Sequence, residues 1–358
     1  MTTQKSLRAA LHERVVVADG AMGTMLQAQN PTLDDFQGHE GCNEILNISR
    51  PDIVKNVHRA YIAAGVDAIE TNTFGANFAN LAEYGIEDRI YELARAGAEI
   101  AREAADEVVD QEIYVLGSLG PGTKLPTLGH TSYELLKQAY ETAAQGLIDG
   151  GADALLVETT QDLLQAKAAV NGSREAISKT ERDIVLIAQV TVETTGTMLL
   201  GSEIGAALNA LEPLGIDLIG LNCATGPAEM SEHLRYLSKN SHVGISVMPN
   251  AGLPVLGANG ATYPLGPEEL AQALSTFVDE YGVGLVGGCC GTTPEHLAEV
   301  VKRIRGSAIK ERKLTTENGA SSLYQFVPFR QDQTYLAIGE RTNANGSKAF
   351  REALLREN

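Results

Sequence analysis

Three of the four cysteines of this 358-residue chain lie in two short motifs that suit metal binding. Cys289 and Cys290 are adjacent and have glycines on both sides, whereas Cys223 follows an apolar run. Adjacent cysteines can bind one ion only where the backbone turns sharply, and flanking glycines permit such a turn. Three thiolates favour a soft or borderline metal, usually zinc, and three protein ligands leave one tetrahedral position open. The pattern predicts a catalytic zinc site.

A zinc ion with three cysteinate ligands is suited to activating a thiol. A free thiol has a pKa of about 8.5, so little thiolate is present at neutral pH, whereas binding to zinc removes the proton. The excess negative charge of the site keeps the bound sulfur nucleophilic, which favours alkyl transfer to a thiol over activation of water. The alternative is three simply buried cysteines, and we prefer that interpretation for Cys42, which stands alone in a loop.

Short apolar runs separated by helical patterns predict the elements that position these residues. The runs are rich in Val, Ile and Leu and do not alternate with polar residues, which is typical of parallel strands covered by helices on both faces. Eight successive βα units favour a (β/α)8 TIM barrel, with an open doubly wound sheet as the alternative. The predicted strands are Val15–Asp19, Ala68–Asn72, Tyr114–Ser118, Ala154–Glu158, Ile184–Thr191, Leu218–Cys223, Val243–Pro249 and Gly284–Cys289.

Helix signals lie between these runs. The sequence Ser49-Arg50-Pro51-Asp52 resembles a capping box and predicts a helix start. A recurring glycine just before a strand predicts a left-handed helix end at Gly65, Gly151, Gly215 and Gly282. The other predicted helices are Asp88–Val109, Ser132–Asp149, Asp162–Ser178, Pro227–Lys239, Pro267–Tyr281 and Pro294–Arg305.

Polar residues follow the predicted strands at the end where barrel enzymes have their active sites. The carboxylates among them suit an amino-acid substrate, because Asp19 or Glu158 can hold an ammonium group by a charge-assisted hydrogen bond. Capping a helix or anchoring a loop is the alternative for both. Glu70 and Asn72 are further candidates for substrate binding, with a structural role as the alternative.

The formal charge of −18 argues against binding to nucleic acid or anionic membranes. The N-terminus has no secretory signal, and no run is apolar enough to span a membrane. Few cysteines in a chain of this length indicate a reducing compartment, so we expect the cytoplasm. The pattern predicts a barrel over residues 1–305, a linker over 306–334 and, over 335–358, the truncated start of a second domain. That last part contains a predicted strand, Tyr335–Glu340, and a predicted helix, Lys348–Arg356.

From about Val15 to Arg305 the chain resembles the homocysteine-binding barrel of zinc-dependent homocysteine S-methyltransferases. The resemblance implies that Cys223, Cys289 and Cys290 bind the catalytic zinc and that Asp19 and Glu158 hold the homocysteine amino group. It also implies that the Asn250 side-chain oxygen can bind zinc before the thiol displaces it. The motifs that carry it are Asp19-Gly20-Ala21-Met22-Gly23-Thr24, Glu70-Thr71-Asn72-Thr73-Phe74, Gly220-Leu221-Asn222-Cys223, Pro249-Asn250-Ala251-Gly252-Leu253-Pro254 and Gly287-Gly288-Cys289-Cys290-Gly291-Thr292-Thr293.

The end of the chain bears on the methyl donor. Ile338-Gly339-Glu340-Arg341-Thr342-Asn343 resembles the start of the folate-binding barrel of cobalamin-dependent methionine synthases. This resemblance implies methylcobalamin as donor and methionine as product, with cobalamin-binding and folate-binding modules of the same enzyme as partners. The chain has no Asp-x-His-x-x-Gly cobalamin-ligand motif, so another module is expected to carry the cobalamin. Two alternatives remain: S-methylmethionine or betaine as donor, and a barrel scaffold whose zinc is structural.

Overall fold

The computed structural model describes residues 5–257, 260–315, 317–330, 335 and 343–356. Its strands are β1 (Val16–Val17), β2 (Ala68–Glu70), β3 (Tyr114–Leu119), β4 (Ala154–Thr160), β5 (Val185–Val190), β6 (Leu218–Asn222), β7 (Gly244–Met248), β8 (Val255–Gly257), β9 (Gly260–Thr262), β10 (Leu285–Val286), β11 (Gly319–Ser321) and β12 (Phe326–Pro328). Its α-helices are α1 (Leu7–Glu13), α2 (Met22–Ala28), α3 (Leu46–Ser49), α4 (Pro51–Ala63), α5 (Phe78–Glu83), α6 (Ile90–Asp106), α7 (Tyr133–Asp149), α8 (Leu163–Ile177), α9 (Ile204–Leu211), α10 (Pro227–Asn240), α11 (Pro267–Tyr281), α12 (Pro294–Ile304) and α13 (Lys348–Arg356). Four short 3-10 helices lie at Asn43–Ile45, Glu87–Arg89, Pro126–Leu128 and Glu212–Leu214.

Eight of the strands form one parallel sheet in the order β1-β10-β7-β6-β5-β4-β3-β2. Each of the eight predicted strands is present, and the nearly closed sheet confirms the α/β barrel over the doubly wound alternative. β8 pairs with β9, and β11 pairs with β12, as two small antiparallel hairpins outside the barrel.

The seam between β1 and β2 is bridged largely by carboxylates. Asp67 N–H donates to Val17 O at 2.7 Å, and Val17 N–H donates to the Asp67 side chain at 3.0 Å. Asp67 is fully buried and forms ion pairs with Arg14 at 2.9 Å and Arg305 at 3.4 Å. Further along the seam, the Asp19 carboxylate accepts from Glu70 N–H at 3.1 Å. A residue of the active-site end therefore also helps to close the barrel.

The core has two layers because alternate strand residues point in opposite directions. One apolar cluster lies between the strands and the surrounding helices. A second fills the barrel interior, where Leu7 and Ala10 of α1 pack among strand residues. Towards the carboxyl ends of the strands, buried Ser118, Glu158 and Asn222 replace apolar residues. The barrel interior is thus apolar over most of its length and becomes polar at the carboxyl ends of the strands, where the loops carry the site.

Most helix signals are confirmed, and one is wrong. Gly65, Gly151, Gly215 and Gly282 all have positive φ, between 67° and 103°, as the recurring pattern predicted. The capping-box interpretation of Ser49 fails, because α4 has Arg50 as its N-cap and the Ser49 hydroxyl donates to Ile45 O at 3.2 Å. Ser49 is the last residue of the short preceding helix α3, so its hydroxyl bonds to the preceding turn and does not cap α4.

The segment after α12 packs along the barrel. The Arg312 guanidinium donates to Ser241 O at 2.9 Å and to Val243 O at 2.6 Å, and Glu203 N–H donates to Tyr324 O at 2.8 Å. The predicted strand Tyr335–Glu340 lies outside the described residues, apart from Tyr335 itself, whereas α13 has the predicted bounds. The domain boundaries remain predictions. Within the described parts of the chain, no helix is both long enough and apolar enough to cross a membrane.

Replacing Gly220 by alanine is expected to destabilise the barrel. A Cβ at this position of β6 would lie 2.1 Å from the Ser246 backbone oxygen on β7 and cannot be accommodated without moving a strand. We expect the free energy of unfolding, measured by urea denaturation, to fall by about 3 kcal/mol or more. Gly23→Ala is the matched control, since its nearest heavy atom would lie 3.8 Å away and its position is helical. Equal stability of the two variants would contradict the proposed close approach.

Candidate metal and substrate site

The structure brings the three cysteines of the two motifs together. The Sγ atoms of Cys223, Cys289 and Cys290 all lie within 4.8 Å of one another, and those of Cys223 and Cys290 are 3.8 Å apart. Two sulfurs bound to one tetrahedral zinc at about 2.3 Å are themselves about 3.8 Å apart. The thiols therefore fit a zinc ion with three sulfur ligands.

Cys223 is presented by a strained turn at the end of β6. Cys223 and Ala224 have φ values of 59° and 55°, in the left-handed region that non-glycine residues rarely adopt. Cys223 N–H donates to Met248 O at 3.2 Å, and Thr225 N–H returns to Cys223 O at 2.6 Å. Such strain is commonly found at functional sites, where the surrounding structure holds it in place.

The adjacent pair Cys289 and Cys290 is held by the loop that follows β7. Cys289 N–H donates to Pro249 O at 2.8 Å, and Cys290 N–H donates to the Asn250 side-chain oxygen at 3.1 Å. Asn250 thus orients the cysteine loop, while its predicted zinc ligation remains a prediction. Gly291 follows with φ of 78°, and a Cβ there would lie 2.2 Å from the Tyr263 ring. Any larger residue at that position would be both strained and blocked.

The thiols affect one another's ionisation. Hydrogen bonds from Cys223 and Cys289 lower the pKa of Cys290 to about 3, far below the ordinary range for a thiol. Hydrogen bonding to Cys223 and Cys290, together with burial, raises the pKa of Cys289 well above that range. One thiolate is therefore favoured even without a cation, whereas three thiolates need one.

The thiols open onto a cavity of about 350 Å³ at the carboxyl ends of the strands. Its lining includes Glu44, Glu70, Asn72 and Glu158, and no Lys, Arg or His is among the described residues that form it. A second cavity, of about 270 Å³, lies at the opposite end of the barrel and contains no thiol. The first cavity is therefore an anionic pocket of a size suited to a small cationic or zwitterionic molecule beside the thiols.

Glu158 is a buried carboxylate of this cavity and is held in place by two side-chain hydrogen bonds. It is 5% exposed and accepts hydrogen bonds from the Ser118 hydroxyl at 2.5 Å and the Asn222 amide at 3.2 Å. Burial raises the pKa of Glu158 to about 7. Burial and the neighbouring Glu158 also raise the pKa of Glu70 well above its ordinary value. A bound ammonium group would stabilise the ionised form of these carboxyl groups and so lower their pKa values.

Asp19 and Asn72 make structural contacts in addition to their position at the site. Both Asp19 oxygens lie 3.1 Å from Glu70 N, and the side chain is fully buried, which raises its pKa. This is the anchoring role that the sequence left open; the neighbouring Gly20 lines the cavity, whereas Asp19 does not. The Asn72 amide donates to Asn43 O at 2.8 Å while lining the same cavity. Substrate contacts of these two residues remain predictions.

No individual role was assigned from the sequence to Glu44, Ser118, Asn222 or Tyr263. Ser118 and Asn222 had a usable signal, because each is an inward-facing polar residue at the end of an apolar run. Glu44 had none, since it lies in the short 3-10 helix Asn43–Ile45, which has no distinct sequence pattern. Its carboxylate accepts from Gly75 N–H at 2.6 Å and from the buried Cys42 thiol at 3.6 Å. Cys42 is therefore a structural neighbour of the cavity wall and does not line the cavity.

The comparison with known families agrees with this site. The homocysteine S-methyltransferase family model matches residues 16–304, which include the whole barrel and all three clustered cysteines. The chain therefore belongs to the homocysteine S-methyltransferase family, a family of methyltransferases.

Individual relatives are more specific. The chain is 63% identical over 349 residues to a methionine synthase of Mycobacterium tuberculosis, covering 97% of this chain and 29% of that protein. It is 62% identical over 354 residues to a methionine synthase of Mycobacterium leprae, with the same coverage of 97% and 29%. The chain thus spans less than a third of the length of these relatives. The metallated form of the homocysteine methyltransferase MmuM from Escherichia coli superposes with a TM-score of 0.65 at 22% identity, covering 81% of this chain and 96% of that one, which supports the fold.

Proposed function

We propose that this chain binds homocysteine and presents its thiol, through a zinc ion on Cys223, Cys289 and Cys290, as the acceptor of a methyl group. The observation that carries the proposal is the convergence of three thiols within 4.8 Å on the wall of a cavity lined by buried carboxylates. Homocysteine has the two matching groups, a thiol and an ammonium group, on one small molecule. The product of the transfer is methionine.

Each residue has a distinct part in this proposal. A zinc ion held by the three cysteines supplies the positive charge that keeps the substrate sulfur deprotonated at neutral pH. Glu158 accepts a hydrogen bond from the substrate ammonium group, and Ser118 and Asn222 hold the Glu158 carboxylate in place. Glu70 and Asn72 line the cavity beside the substrate. Asp19 lies behind this wall, where its carboxylate accepts the Glu70 N–H and so holds Glu70 in place. Fixing the thiol in one orientation supplies the positioning part of the rate gain.

We further propose methylcobalamin, carried by a separate module, as the methyl donor. The support is the high identity to methionine synthases and the exposed apolar side chains on loops around the cavity. These loops follow four different strands, and their exposed residues are Phe74, Leu128, Leu199 and Leu253. An exposed apolar rim of this kind offers a surface against which a large, flat donor can pack.

The same proposal places the chain in a longer enzyme. Residues 1–305 form the homocysteine barrel, 306–334 the connection, and 335–358 the start of a folate-binding domain, with cobalamin-binding and folate-binding modules as partners. All four cysteines are free, which suits the reducing cytoplasm that we propose as its location.

A donor comparison tests the choice of methyl donor. Zinc-loaded chain would be incubated with homocysteine and, in turn, methylcobalamin, S-methylmethionine or betaine, and methionine would be measured by mass spectrometry. We expect methionine from methylcobalamin and none above background from the two small donors. Rapid turnover with either small donor would contradict the cobalamin proposal and leave the homocysteine proposal intact. Chelated protein is the control, and full activity after zinc removal would indicate that the metal is structural.

A further inference from the structure

Thr292 is a fully buried residue of the cysteine loop to which the proposed function gives no part. Its N–H and its hydroxyl both donate to Cys289 O, at 3.2 Å and 2.7 Å. The first of these bonds closes a turn from Cys289 to Thr292, in which Gly291 supplies a positive φ of 78° at the third position. The turn that carries the two adjacent thiols is therefore held by two bonds from one residue.

The Cys289 carbonyl group has a particular place in this turn. It belongs to the peptide unit that joins Cys289 to Cys290, and a peptide unit is planar. Rotation of this plane would change the direction in which the side chain on either side of it leaves the backbone. The bonds from Thr292 to the carbonyl oxygen therefore restrict the relative directions of the two thiols.

The Thr292 hydroxyl also binds the loop after β1. It accepts from Ala21 N–H at 3.2 Å, so it donates to one loop and accepts from the other. The buried Tyr61 hydroxyl of α4 lies 3.0 Å from Ala21 O and 3.2 Å from Thr292 O. Because Ala21 lines the cavity, these contacts join the turn of the two thiols to a wall of the substrate cavity.

Two glycines leave the space that the Thr292 side chain occupies. A Cβ at Gly20, in the loop after β1, would lie 2.4 Å from Thr292 Oγ1, and a Cβ at Gly288, before Cys289, would lie 2.3 Å from it. The hydroxyl is thus enclosed where the two loops meet. Its removal would leave the buried Ala21 N–H without its partner, which is unfavourable.

We infer that Thr292 is a positioning residue of the zinc site, whose hydroxyl holds the turn of Cys289 and Cys290 against the loop after β1 so that both sulfurs face one ion. This inference rests on the proposed function, in which these cysteines bind zinc. It extends the site from the zinc ligands to a hydrogen bond that orients them, and such bonds contribute to metal affinity.

Competition with a chelator, carried out without homocysteine, measures the zinc affinity of the variants that test this role. Thr292→Val keeps the shape of the side chain but loses the hydroxyl, and we expect it to bind zinc about tenfold more weakly or worse. Thr292→Ser keeps the hydroxyl and should bind zinc within roughly threefold of wild type. Thr160→Val is the matched control, because the buried Thr160 hydroxyl also donates to a backbone oxygen, that of Gln189 at 2.9 Å, and its loss should leave zinc affinity unchanged.

Hydrogen exchange in the wild-type chain provides a second measurement, which decides if Thr292→Val does not fold. Zinc loading should slow the exchange of Ala21 N–H, which bonds to the Thr292 hydroxyl. The exchange of Gly75 N–H, which bonds to Glu44 elsewhere in the cavity wall, should change less. Equal changes at the two amides would overturn the inference.

Three affinity results would also overturn it: wild-type affinity in Thr292→Val, equal losses in Thr292→Val and Thr160→Val, or Thr292→Ser as weak as Thr292→Val. Tight zinc binding by wild type without any binding of homocysteine would contradict the proposed function and leave this inference standing. A wild-type chain that binds no zinc would overturn both.

Discussion

A chain carrying Cys289→Ser is expected to lose both tight zinc binding and methyl transfer to homocysteine. A serine hydroxyl is a poor zinc ligand at neutral pH, and the site would keep only two of its three sulfurs. We expect the zinc affinity, measured by competition with a chelator, to fall by more than the roughly 10–100-fold that changes outside the ligand set cause. Methionine formation should fall to background.

Cys42→Ser provides the matched control for this variant. Cys42 is also a buried free cysteine, 3% exposed, but it contacts Glu44 and is not part of the thiol cluster. The control should bind zinc as wild type does. Retention of full zinc affinity and methyl transfer by Cys289→Ser would exclude Cys289 as a zinc ligand, and equal losses in both variants would point to general damage to the fold.

Glu158→Gln is expected to weaken homocysteine binding by about a hundredfold or more while making the metal-free chain more stable. Binding suffers because a buried ammonium group would lose its ionised partner. Stability rises because the buried carboxylate is costly when charged. Calorimetry would measure the first effect and urea denaturation the second.

The pH dependence of this variant has a definite sign. Burial raises the pKa of Glu158 from the ordinary 4.5 to about 7 in the folded chain. Between these values the folded state holds a proton that the unfolded state has released, so the wild-type unfolding free energy falls as pH rises. The advantage of Glu158→Gln should therefore be small at pH 4.5, grow up to about pH 7 and then stay constant. A stability difference independent of pH would contradict the assigned burial, and the exposed Glu181→Gln serves as control.

The strands could be predicted from sequence because each barrel strand is buried on both faces and appears as an uninterrupted apolar run. The run Leu218–Cys223 exceeds the observed strand β6 by one residue at one end, and Val243–Pro249 exceeds β7 by one residue at each end. Short elements escaped prediction: α1, α2, α5 and α9 have eight residues or fewer, too few for a helical period to be distinct. The β8–β9 hairpin was not predicted although the sequence contains the turn dipeptide Asn259-Gly260, because strands of three residues are too short to show an alternating pattern.

The candidate site likewise has some features that could be predicted from sequence and others that could not. The cysteines were found because their chemistry is specific and because parallel strands end at one rim, which brings distant motifs together. The anchoring of Asp19 on Glu70 N–H could not be predicted, since it depends on the seam between β1 and β2. Nor could the contact of Asn250 with Cys290 N–H, because it depends on how two loops cross.

Zinc-edge X-ray absorption of the metal-loaded chain, with and without homocysteine, would show whether the substrate thiol binds zinc. We expect three sulfurs, from Cys223, Cys289 and Cys290, and one lighter atom around zinc without substrate, and four sulfurs once homocysteine is added. A first shell that does not change on adding homocysteine would contradict direct activation of the thiol by zinc.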